Sequence, residues 1–150
     1  MTRIKKVREA CFLACIDSFL RDHGIEIGQE CMISVLANLG LCSESGVVSR
    51  GNEDKACRVF NIRFSDVPYH YPIDKKYFDG SLLIGTTTPG LHCVRFWKHE
   101  EEAKIIVMDP EKGDFMYWDK AHLEERVPQF HKVELQILQD APNNRMERTV

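Results

Sequence analysis

Three side chains in this 150-residue chain carry groups that together could perform nucleophilic acyl chemistry: the Cys11 thiol, the His92 imidazole and the Asp109 carboxylate. A thiol nucleophile needs a place that favours the thiolate, a histidine to exchange its proton, and a third group to fix the imidazole. Cys11 stands where the first predicted helix begins. The helix dipole and first-turn N–H groups favour negative charge there, and such sites lower a thiol from ~8.5 into the ~3.5–7.5 range. The backbone N–H of Cys11 would also point at a developing oxyanion. His92 opens a predicted strand just after Pro89-Gly90, and Asp109 closes the next one immediately before Pro110. Antiparallel neighbours joined by a short loop set the start of one beside the end of the other. His92 and Asp109 are therefore expected to be adjacent, the carboxylate turned toward the imidazole.

The elements that must position these groups are legible in part. Ala10 to Arg21 carries Phe12, Cys15, Ile16, Phe19 and Leu20 at helical spacing and runs into Asp22-His23-Gly24, a glycine stop. A second helix is predicted over Gln29 to Leu39, stopped by Gly40, and a third, short one over Glu53 to Phe60. Cys42 to Asn52 is polar and turn-rich, and Asn61 to Asp79 reads as irregular, with Pro68 and Pro72. From Ser81 the pattern changes to short strands: Ser81 to Gly85, Leu91 to Trp97, Ala103 to Met108 and Asp114 to Trp118. Asp119 is a predicted N-cap for a helix over Ala121 to Arg126, and Lys132 to Leu138 alternates as a last strand. Helices in front and antiparallel sheet behind mean an α+β fold. One domain is expected over 1–140, with a loose polar tail over 141–150.

Composition narrows the function classes. The formal net charge of −3 gives no global pull toward nucleic acid or an anionic membrane. No run approaches the ~18 apolar residues of a membrane span, and the charged start, Met-Thr-Arg-Ile-Lys-Lys, lacks a signal-peptide core. Six cysteines then read as thiols in a reducing, cytoplasmic setting, most of them small core residues.

Glu9-Ala10-Cys11-Phe12-Leu13-Ala14-Cys15 running into a helix that ends at Gly24, the strand Gly90-Leu91-His92-Cys93-Val94, and Ile105-Ile106-Val107-Met108-Asp109-Pro110 followed by Gly113 stand in a telling order. In that order the chain resembles the C39-like branch of the papain-like cysteine peptidases, across roughly Lys5 to Leu123. The resemblance implies a papain-like fold with N-terminal helices packed on an antiparallel sheet. It also implies a thiol protease in which Cys11 attacks, His92 relays the proton and Asp109 orients His92. Family members attached to exporters cut leader peptides after paired glycines. Where the family carries a glutamine that donates to the oxyanion, this chain reads Ile4-Lys5-Lys6-Val7, so Lys5 or Lys6 becomes the candidate donor. Phe12 stands where the family has glycine.

Other readings of the same residues are open. A catalytically silent C39-like domain would bind a peptide or partner protein in the same groove, and an acyl or peptidyl transferase would pass the acyl group to an amine. Cys15 lies one turn beyond Cys11 on the same face and is expected in the core. Cys11, Cys15 and a histidine could face a zinc ion, but there is no C-x-x-C pair and no second close Cys/His pair. Neither metal nor cofactor is expected. The expected partner is a peptide or protein substrate, with Tyr69, Tyr71, Tyr77 and Phe78 as possible groove-wall aromatics.

Overall fold

The computed structural model describes residues 1–67, 83–87, 92–98, 104–119, 121–122, 125 and 129–136. Three helices come first: α1 (Cys11–Asp22), α2 (Gln29–Asn38) and α3 (Glu53–Val59). Six strands follow: β1 (Ile62–Val67), β2 (Leu83–Thr87), β3 (His92–Lys98), β4 (Lys104–Asp109), β5 (Asp114–Asp119) and β6 (Gln129–Leu135). They form one antiparallel sheet in the order β1-β6-β2-β3-β4-β5. The α+β reading holds.

The apolar spacing of α1 buries Leu13, Ile16, Phe19 and Leu20 against Met32, Ile33 and Leu36 of α2 and Cys93 of β3. Gly24 ends α1 with φ +76°, a conformation glycine takes without a Cβ penalty, and the turn returns the Ile25 N–H to the Leu20 carbonyl at 2.9 Å. α3 packs on β1 and seals the other end of the core with Ala56 and Cys57.

A buried polar cluster fixes α1 along β3. The Arg95 side chain of β3 is 0% exposed; its Nη1 donates to Ser18 Oγ at 2.6 Å and lies 2.9 Å from Asp22 Oδ2. Asp22 in turn accepts from Thr2 Oγ1 at 2.5 Å, tying the chain's first residues to the far end of α1.

The strand β1 corrects the irregular reading of Asn61 to Asp79. Ile62 and Phe64 alternate with Arg63 and Ser65, but β1 is an edge strand whose partner β6 lies some seventy residues on. Nothing local announces that pairing. β6 also begins earlier than expected, at Gln129. Asp119 Oδ1 accepts the His122 N–H at 2.7 Å, as an N-cap would. Residues 68–82, the acidic turn after Lys98, Tyr69, Tyr71, Tyr77, Phe78 and the tail over 141–150 lie outside the described residues.

Candidate active site

Cys11 is the first residue of α1, and Ala10 before it offers no side-chain cap. The positive end of the helix therefore sits at the thiol. The β3–β4 register pairs Arg95 with Met108; extended toward His92, it sets Asp109 diagonal to His92 on the same face. The side chains meet accordingly. His92 Nε2 lies 2.5 Å from Asp109 Oδ1. The imidazole is also hydrogen-bonded to the Cys11 thiol. The backbone N–H of Cys93 donates to the Cys11 sulfur as well. All three groups line a single cavity of about 690 Å³ with Lys6, Glu9, Phe12, Glu111 and the Gly46-Val47-Val48 segment.

The electrostatics follow from these contacts. Burial raises the Cys11 thiol, but the His92 imidazole, the Cys93 N–H and the Lys6 ammonium outweigh it and leave the thiol below its ordinary value. His92 is raised to about 10, first by the Asp109 carboxylate and then by Cys11. Burial raises the Asp109 carboxyl, yet His92 and the Glu111 N–H, 2.9 Å from Oδ1, hold it below the usual range. A lowered thiol beside a raised imidazole favours thiolate and imidazolium together.

Of the two candidate lysines, only Lys6 lines the cavity. Lys5 packs beside Gly113, where an added Cβ would lie 2.7 Å from the Lys5 Cβ. The short N-terminal arm is clipped in place by Gln29, whose Nε2 donates to the Lys5 carbonyl and whose Oε1 accepts the Val7 N–H, each at 2.9 Å. The Phe12 ring stands edge-on to Phe64 with centroids 5.6 Å apart, so it forms a wall of the cavity braced by β1. Cys15 is fully buried and donates to the Cys93 carbonyl at 3.5 Å, a core thiol. Among the described residues no group of histidines, cysteines or carboxylates could hold a metal ion.

Glu9, Glu111 and the Gly46 segment are cavity residues that the sequence did not reveal. Glu111 follows the Asp109-Pro110 turn and could have been suspected from it. Gly46 gave no signal, yet its contacts are demanding: with φ +87°, an added Cβ would meet the Ala10 Cβ at 2.7 Å and Ile33 Cδ1 at 2.9 Å. Gly46→Ala is expected to destabilise by about 2–3 kcal/mol, through backbone strain plus overpacking. Thermal denaturation should show a loss of roughly 5–10 °C. An unchanged melting temperature would mean that the loop yields freely behind Ala10.

No protein-family model matches the chain, and no curated protein does. Solved structures do. The peptidase domain of Streptococcus ComA, a bi-functional ABC transporter involved in a quorum sensing pathway, aligns over 89% of this chain and 97% of that domain at 14% identity, TM-score 0.65. The N-terminal peptidase C39-like domain of the toxin secretion ATP-binding protein from Vibrio parahaemolyticus aligns over 70% of this chain and 93% of that one, at 15% identity and TM-score 0.47. With three helices leading into an antiparallel sheet, the chain has the papain-like fold of the C39-like peptidase domains.

Proposed function

We propose that the chain is a cysteine peptidase of the C39-like type, cleaving a peptide or other acyl bond through Cys11, His92 and Asp109. The observation that carries this reading is the His92 ring, hydrogen-bonded to both Asp109 and Cys11. The Cys11 thiolate attacks the carbonyl carbon and the carbonyl π pair moves to oxygen. The tetrahedral intermediate collapses as His92 gives its proton to the leaving amine, which leaves a thioester on Cys11. Water, losing a proton to His92, then releases the acid and restores the thiolate. The α1 N-terminus and Lys6 meet the negative oxygen. The substrate is a peptide or protein. No helix among the described residues is long and apolar enough to cross a membrane. All six cysteines are free thiols, which supports a reducing, cytoplasmic setting.

The test is the rate of Cys11 alkylation by iodoacetamide from pH 5 to 9, in the native chain and in His92→Ala. Each unit by which a thiol is lowered multiplies its thiolate about tenfold at a fixed acidic pH, and weaker basicity takes back about threefold. Native Cys11 should therefore react several-fold faster than the variant below pH 7. Were Cys11 to titrate as an ordinary thiol and ignore His92, a silent domain that binds a peptide in the same cavity would replace the hydrolase.

A further inference from the structure

The proposed chemistry draws on Lys6 from the charged wall of the cavity but not on its neighbours Glu9 and Glu111. Lys6 Nζ lies 2.5 Å from Glu111 Oε2 and 3.8 Å from Glu9 Oε2, with the lysine side chain only 18% exposed. Its backbone is fixed too, since the Lys6 N–H donates to the Pro110 carbonyl at 2.8 Å. Glu111 meanwhile donates its own N–H to Asp109 Oδ1 at 2.9 Å. One residue thus holds the orienting carboxylate with its amide and the lysine with its side chain.

Resting on the hydrolase reading, we propose that Glu111 is a positioning residue that holds the Lys6 ammonium over the oxyanion side of the cavity, giving this chain a cationic oxyanion donor in place of an amide. A lysine has a long flexible stem and a compact charge, so unlike a planar amide it needs an external partner to hold one position. Glu111 is that partner. It also offsets the ammonium charge in the resting site. When the thiolate attacks, negative charge leaves sulfur and grows on the carbonyl oxygen. A cation already in place at that oxygen lowers the barrier without reorganising.

Two reagents separate this role from thiolate formation. Iodoacetamide alkylates Cys11 by displacement at a saturated carbon, and no oxyanion forms. With p-nitrophenyl acetate the thiolate adds to the carbonyl, the oxyanion forms, and collapse expels p-nitrophenolate without needing a proton from His92. The ratio of acylation to alkylation rates therefore reads the oxyanion site alone. Lys6→Ala should lower that ratio roughly 10²-fold and Glu111→Gln roughly tenfold; loss of the Lys6 charge also slows alkylation by weakening the thiolate, and the ratio divides that part out. The Lys6→Ala/Glu111→Gln pair should lose no more than Lys6→Ala. An unchanged or higher ratio in Glu111→Gln overturns the proposal, as does additivity in the pair. So does an equal loss in both reactions, which would mean that Glu111 acts only through Asp109 and His92. Fast, His92-dependent alkylation with an unmoved ratio sinks the lysine role and leaves the hydrolase standing; alkylation indifferent to His92 sinks both.

Discussion

Asp22→Ala is expected to destabilise the protein by about 3–5 kcal/mol, the usual consequence of leaving a buried charge without its partner. The charge left behind is Arg95, 0% exposed, whose Nε and Nη2 have no hydrogen-bond partner among the described residues. With Asp22 gone, Arg95 keeps, among the described residues, the Ser18 hydroxyl and the Phe19 ring, 5.7 Å from its guanidinium carbon. For a chain of this size the melting temperature should fall by roughly 10 °C or more. Arg95→Met should cost less, because Asp22 lies nearer water, at 17% exposure, and retains the Thr2 hydroxyl. The asymmetry is the point of the experiment. If Arg95→Met proves the more damaging change, the pair is net stabilising and this account of it is wrong.

The same pair gives a pH dependence. Burial raises the Asp22 carboxyl, but the Thr2 hydroxyl and Arg95 outweigh it and hold it below the ordinary carboxylate value. A group depressed in the folded state contributes stability that is present above its unfolded value near pH ~3.9 and is lost as pH falls through its folded value. Acid unfolding of the native chain should therefore begin at higher stability than in Asp22→Ala, and the two curves should converge only once the pH has fallen through the lowered folded value of Asp22.

Much of this arrangement was written in the sequence, and the reasons differ by residue. Cys11 announces itself because a helix with a strong apolar stripe must start near Ala10, which puts the thiol at its positive end. His92 and Asp109 are legible because Pro89-Gly90 and Pro110 mark where neighbouring strands begin and end, and antiparallel geometry does the rest. Arg95 was not legible: in a strand it reads as a solvent-facing residue, and only the helix packed above, with Ser18 and Asp22 one turn apart, makes it a core group. β1 escaped for a related cause, since an edge strand buries little and its partner is distant. The choice between Lys5 and Lys6 needed the Gln29 clip and the β4–β5 turn, both long-range contacts that one-dimensional spacing does not encode.

Asp109→Ala is expected to slow acyl hydrolysis roughly 10²–10⁴-fold, because His92 loses the group that fixes both its orientation and its proton. Asp109→Asn separates those two functions. The amide oxygen can still accept from Nε2 where the carboxylate oxygen now lies, 2.5 Å away, so orientation survives while the negative charge is removed. His92 is raised to about 10, with the Asp109 hydrogen bond the largest cause and Cys11 second. A raised imidazolium persists below its folded value and is lost as pH rises through it. If the chain hydrolyses acyl bonds as proposed, the alkaline limb of kcat/KM should therefore fall near pH 10 in the native chain, while the acid limb follows protonation of the lowered Cys11 thiolate. Removing the carboxylate charge withdraws the largest support for the imidazolium, so in Asp109→Asn the alkaline limb must move to lower pH. The acid limb should shift the other way, since a weaker imidazolium stabilises the thiolate less, and the working window narrows from both sides. A profile from pH 5 to 11 decides it: an alkaline limb that stays in place would show that Cys11, not Asp109, keeps the proton on His92.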